Sequence, residues 1–202
     1  MKTFFAIIFA LIYQQSLLAS NRIPNGKPID LKCEHLINPV GIDNTHPRFS
    51  WKINDNRIGA IQRAYQVLVS TDSISLTQNE KLYWDSEKVY QSDILVKYNG
   101  KSLAPQSRYF WKVVSWDKDG KQHSSSIASF EMGMLSTKSW KGAWISDHHD
   151  IHFKPAPYFR KQFTVNKKIK SARAYIAVAG LYELSVNGQR VGDHFLDPMY
   201  TR

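Results

Sequence analysis

From Ala172 to Gly188 apolar and polar positions alternate in the two-residue rhythm of β-strands. Ala174, Ile176 and Val178 oppose Tyr175, Ala177 and Ala179, and Tyr182, Leu184 and Val186 face away from Glu183, Ser185 and Asn187. Asn187-Gly188 supplies the two positive-φ positions of a type I′ hairpin turn. Tyr158–Val165 reads as an earlier strand of the same unit and Ala172–Val178 as the next. Few residues separate the hairpin from Arg202, so the sheet begun here is expected to be incomplete and the chain to be the N-terminal part of something longer. Such a unit is expected to be loosely ordered or aggregation-prone, because it leaves an unpaired edge and little buried surface.

Upstream, strand-like runs follow at short intervals: 29–37, 48–53, 64–70, 82–89, 107–116 and 126–131. Only a single turn near 74–79 suggests helix. Asn38-Pro39, His46-Pro47, Asn99-Gly100 and Asp117 to Gly120 punctuate the runs. Many short strands with turn chemistry between them predict an immunoglobulin-like or fibronectin III-like sandwich that unfolds cooperatively. Leu103 to Tyr109 places a leucine, a proline and a tyrosine where a chain rounds into a long strand, the layout of a tyrosine corner whose phenol bonds upstream backbone. Trp51, with Phe49 on the same face, is expected to fill the space between the sheets. Trp111 and Trp116 fall on opposite faces, and Trp116 is expected to be the exposed one.

Composition changes the picture in three ways. Lys2, the apolar run from Phe4 to Tyr13 and the small residues Ala19 and Ser20 have the layout of a secretory leader over 1–20, too short to span a membrane. Export to the periplasm, cell surface or medium is expected, with no membrane attachment after the leader is removed. The single cysteine, Cys33, leaves an exported protein to be held by burial and not by internal disulfides, and it is read as buried and unreactive. Lysine and arginine outnumber aspartate and glutamate by 27 to 17, which favours anionic partners such as acidic polysaccharide. These charges are spread along the chain, and Lys167, Lys168 and Lys170 read as a solvated loop, so nucleic acid is not expected as a partner.

The words ProArgPheSerTrp at 47–51, GlnArgAlaTyrGlnValLeuValSer at 62–70, TrpAspSerGluLysVal at 84–89, TyrPheTrpLysValValSerTrpAsp at 109–117 and SerPheGluMetGly at 129–133 occur in this order. TrpLysGlyAlaTrpIle at 140–145, PheArgLysGlnPhe at 159–163, AlaGlyLeuTyrGluLeuSerValAsnGly at 179–188 and ValGlyAsp at 191–193 follow. Taken together, the chain resembles the N-terminal region of bacterial α-L-rhamnosidases of glycoside hydrolase family 78. The resemblance implies an all-β chain: a fibronectin III/immunoglobulin-like sandwich over 28–134, then a truncated jelly-roll-type β-sandwich over 139–202, with 135–139 as linker. It implies an accessory part of a secreted enzyme that hydrolyses terminal α-L-rhamnose from glycans. Its partners would be a rhamnose-containing glycan, with charge favouring an acidic one, and the remainder of the parent enzyme.

The family's inverting chemistry is implied to sit in an (α/α)6 barrel far downstream, so no catalytic residue is assigned here and the chain alone is expected to be inactive. Inversion needs two carboxyls about 6.5–9.5 Å apart, and Glu131 and Glu183 are read as solvent-facing or edge residues of strands. In some relatives the jelly-roll domain binds rhamnose with calcium. For that role Asn187 and Asp193, with Asp197, are the candidates, against the plainer reading that Asn187 and Gly188 make a turn. No cofactor is expected otherwise.

Trp140 and Trp144 are read as packing at the domain boundary, with a sugar-stacking platform as the functional alternative. His148, His149, Asp150 and His152 suggest a metal only superficially: the segment lies before Pro155 and Pro157 and a solvated loop is expected, so no metal ligand is assigned. Ser124 to Ser126 reads as strand edge without a nucleophile's surroundings. Two other readings stand beside the enzyme fragment: a stand-alone secreted carbohydrate-binding module, and a structural spacer.

Overall fold

The computed structural model describes residues 25–150, 152, 156–169, 171–193 and 195–198. The leader assigned to 1–20 lies outside them. Two compact units divide between Trp144 and Ile145. No helix among the described residues is long and apolar enough to cross a membrane.

The first unit is built from two sheets. The smaller holds β1 (Lys27–Cys33), β3 (Arg48–Asn54) and β6 (Leu95–Lys97), with β3 central. The larger runs β2 (Val40–Ile42), β9 (Ala128–Met132), β7 (Arg108–Trp116), β4 (Ala64–Ser70) and β5 (Trp84–Asp85), and β8 (Gln122–Ser124) pairs with the second half of β7. Every pairing is antiparallel except β2 with β9. Among the described residues a short helix, α1 (Ser73–Gln78), packs on the outer face of the larger sheet through Leu76, which joins Leu68 and Val114 there. Asp72 caps it by accepting from the Ser75 N–H at 2.7 Å, and Asn79 ends it at φ 57.

Alternation decides which side chains meet between the sheets. Phe49 and Trp51 of β3 point inward with Val67 and Val69 of β4 and Tyr109, Trp111 and Val113 of β7. In β1 both Pro28 and Leu31 are buried although their parity differs, because a register shift between Ile29 and Lys32 turns the strand over. The buried cysteine reading holds: Cys33 is 1% exposed, and burial with the Glu34 charge pushes its thiol up to about 12.

The tyrosine corner is present. Tyr109 Oη accepts the Ala104 N–H at 2.9 Å, locking the approach to β7. Tyr109→Phe is expected to leave that amide without its acceptor and to lower stability by about 1–2 kcal/mol in urea unfolding. A variant as stable as the parent would deny the corner its role.

Several expected strands are corrected. The run at 29–37 ends at Cys33, because Glu34 and His35 both take positive φ and the Cys33 and Leu36 backbones exchange hydrogen bonds across the turn. The run at 82–89 is broken after Asp85, where Glu87 turns left-handed at φ 56 and its N–H finds the Asp85 carboxylate. Val89 then rejoins Tyr65 as an isolated bridge. Glu131 is not solvent-facing: it is 5% exposed in β9, beneath Arg108 at 3.3 Å on the neighbouring strand. Trp116 is half-buried and packs beside Leu68 and Val114 instead of standing free.

Among the described residues the second unit has one ladder, β10 (Ser185–Val186) with β11 (Gln189–Arg190), extended by a Tyr182–Asp197 bridge. Residues 158–165 and 172–178 are not strands, contrary to their alternation. A strand needs a neighbour to accept its hydrogen bonds, and these segments have none among the described residues; Tyr158 and Phe163 stand fully or largely exposed.

Candidate functional site

At one end of the first unit three separate segments line an open groove of about 640 Å³: 61–64 at the entry to β4, 88–93, and Trp116 with Gly120 after β7. Its frame is backbone. Ala64 faces Trp116 in the ladder, Arg63 N–H donates to the Trp116 carbonyl at 2.8 Å, and Tyr65 and Val89 exchange both hydrogen bonds. Val89 packs against the core, so Lys88 and Tyr90 on either side of it turn outward into the groove.

Gln62, 5% exposed, ties the groove to the core. Its Oε1 accepts the Trp51 indole N–H at 2.9 Å and its Nε2 donates to the Asp93 carbonyl at 2.8 Å. The Lys88 ammonium lies 4.1 Å from the Trp116 ring centroid and 4.9 Å from that of Tyr90. Arg63, also in the lining, donates its Nε–H to the Lys118 carbonyl, which fixes its guanidinium. The groove therefore offers aromatic faces, two cations, the Asp93 carboxylate and the polar groups of Gln91 and Ser92. Sequence reasoning missed it. The only trace in the chain is Lys88 and Tyr90 flanking the inward Val89.

Close by, the β3–β4 loop is clamped to the turn after β7. Arg57 reaches Asp55 at 2.6 Å, Asp117 at 2.8 Å and Asp119 at 2.6 Å, and His123 Nε2 lies 3.0 Å from Asp117. The Asp117 carboxylate also accepts the backbone N–H groups of Asp119 and Lys121. Burial pushes the Asp117 carboxyl up, but His123, Arg57 and those amides outweigh it and hold the group far below the usual carboxylate range. This cluster braces a loop. It leaves no free carboxylate for proton transfer.

In the second unit Asn187 and Gly188, at φ 53 and 78, form the turn between β10 and β11, and Asn187 is exposed. Asp193 is exposed as well, while Asp197 exchanges backbone hydrogen bonds with Tyr182. The hairpin thus places Asn187 in its turn. Among the described residues no three His, Cys, Asp or Glu side chains converge as a metal site. His149 pairs with Asp147 at 3.0 Å in an exposed loop. Trp140 is 37% exposed and Trp144 76%.

The comparisons follow the same division. The family model described as the Rha78A-like, N-terminal immunoglobulin domain matches residues 28–136, and that of the α-L-rhamnosidase N-terminal domain matches 167–202. An α-L-rhamnosidase of Formosa agariphila is 36% identical over 185 residues, covering 80% of this chain and 19% of its own length. One from an Alteromonas species is 33% identical, covering 94% and 22%. Among solved structures, the α-L-rhamnosidase of Dictyoglumus thermophilum superposes with TM-score 0.58 at 38% identity over 61% of this chain and 14% of that one. The native enzyme of Aspergillus terreus does so with TM-score 0.62 at 26% identity over 83% and 19%. The chain spans about a fifth of the length of the curated relatives it matches. The chain belongs to the family of Rha78A-like, N-terminal immunoglobulin domains, followed by residues that match the α-L-rhamnosidase N-terminal domain.

Proposed function

We propose that this chain is the accessory N-terminal portion of an exported α-L-rhamnosidase that removes terminal α-L-rhamnose from glycans, and that it does no chemistry alone. The observation that carries the reading is the state of its carboxyls. An inverting glycosidase needs one carboxyl kept protonated, with raised pKa, across a sugar from a second that stays ionised. Among the described residues several carboxyls are held down, none of them raised as a general acid would be: Asp30 through Lys52 and Lys32, Glu34 through Arg48, Asp55 through Arg57, and Asp117 as described. Each is committed to an ion pair that braces strands or loops. The immunoglobulin-like unit is then a scaffold, for which we take 28–134 as the domain and 139 onward as part of the jelly-roll domain.

Export rests on the leader-like residues Lys2, Phe4 to Tyr13, Ala19 and Ser20. Calcium and rhamnose at Asn187 and Asp193 rest on the family resemblance alone. Incubation of the purified chain with an aryl α-L-rhamnoside between about pH 4 and 8, the span over which glycosidase carboxyls titrate, is expected to release no phenol above background. Turnover abolished by a carboxyl-to-amide substitution in this chain would overturn the reading.

A further inference from the structure

We propose that the groove between 61–64, 88–93 and Trp116 is a saccharide subsite that selects a uronate, a pyranose bearing a carboxylate. The inference extends the reading of the chain as part of a glycan-acting enzyme, yet its grounds are local. Three observations converge on it.

The first is the placement of Lys88. Its ammonium is held over two aromatic rings and makes no salt bridge among the described residues, whereas Lys32, Lys52, Arg48, Arg57 and Arg108 all face carboxylates. The rings position the charge without neutralising it. A carboxylate entering the groove meets an ammonium whose side-chain entropy is already partly spent.

The second is the mixture of surfaces. Tyr90 is 77% exposed and Ile61 52%, and beside the Lys88-capped Trp116 they give apolar faces on which the C–H face of a pyranose can lie. Gln91, Ser92 and the Asp93 carboxylate supply donors and acceptors for hydroxyls along the same rim. A purely hydrophobic partner would leave these polar groups unpaired, and a simple anion would leave the rings uncovered.

The third is rigidity. The Gln62 side chain joins the groove to Trp51 in the core, Arg63 is tethered to Lys118, and the Tyr65–Val89 bridge fixes the segment that carries Lys88 and Tyr90. The site is therefore formed before a ligand arrives. The cations Lys88 and Arg63 outnumber the single carboxylate, Asp93, in accord with the chain's net charge of +10.

The test is isothermal titration of the full chain with a glucuronate–rhamnose disaccharide, with its carboxyl-reduced counterpart, and with rhamnose alone. The expected result is saturable binding of the acidic disaccharide at millimolar concentration or below, and at least about tenfold weaker binding of the reduced one. Lys88→Met, which retains a stem to cover Trp116, is expected to erase that preference. Trp116→Ala is expected to abolish binding, and because it also touches packing, Tyr90→Ala serves as the exposed second variant with at least about a fivefold loss. Unchanged far-ultraviolet dichroism and unfolding midpoint of Lys88→Met and Tyr90→Ala show that the loss is local. Absence of heat with the acidic disaccharide, equal affinity for both disaccharides, or unaltered binding by Lys88→Met would each overturn the proposal. None of these outcomes bears on the aryl rhamnoside assay, so the subsite and the functional reading fail separately.

Discussion

Phe49→Ala is expected to cost the first unit about 4 kcal/mol, the largest loss from any single truncation discussed here. Phe49 is fully buried in the central strand of the smaller sheet, and its ring centroid lies 4.4 Å from that of Trp111 and 5.5 Å from that of Phe130 on the larger sheet. Trp84 and Tyr98 close around it at 6.4 Å each. No disulfide crosses this space, since the single cysteine is free. Aromatic packing must therefore hold the sheets together. A domain of this size has roughly 5–15 kcal/mol in total, so the variant should sit near the edge of folding, with a thermal midpoint lowered by more than about 10 °C. Phe49→Leu, which refills much of the volume, should lose less than half as much. An alanine variant within about 1 kcal/mol of the parent in urea unfolding would contradict an inter-sheet space filled by that ring.

The second large effect belongs to Asp117. Its side chain is buried and serves Arg57, His123 and two backbone amides at once. Asp117→Ala removes the acceptor from all four and is expected to cost about 3 kcal/mol, as breaking one side of a buried charge pair does. The pH dependence has a definite sign. The carboxyl's pKa is depressed in the folded state, so the unfolded chain binds its proton first as acid is added. The stabilisation is fully present above the unfolded pKa of about 3.9 and is lost as pH falls through the lower folded value. The parent's unfolding midpoint should therefore fall more steeply below about pH 4 than that of Asp117→Ala. Parallel acid limbs for the two proteins would remove Asp117 from this role.

Legibility varied with the length over which a pattern runs. The bounds of β4 at Ala64–Ser70 follow from its unbroken hydrophobic run, and Leu103-Ala104-Pro105 before Tyr109 announces the corner because the motif is local. The strands β2, β6 and β8 are three residues each, too short for alternation to register. Glu131 read as a surface residue because charge argues for solvent. Its partner Arg108 is twenty-odd positions away and becomes adjacent only through the β7–β9 register.

The groove was hidden for the same reason. Ile61, Lys88 and Trp116 are distant in the chain and meet at one end of the larger sheet, and no local motif marks that meeting. In the second unit the alternation of 158–165 and 172–178 was legible and the strands were absent, because pattern sets which face a residue would take and only a neighbouring strand makes the ladder. The Asn187-Gly188 turn needed no such neighbour, and it formed as read.

One self-supporting sandwich, followed by a unit whose described residues pair little of their own backbone, is the core of this account. Amide hydrogen exchange on the intact chain measures that difference segment by segment. Amides of Val67, Val69, Trp111 and Val113 should exchange only when the first unit unfolds globally, while those in 158–165 and 172–178 should exchange near the rate of unprotected peptide. Protection in 158–178 equal to that of Val67 and Val113 would contradict it.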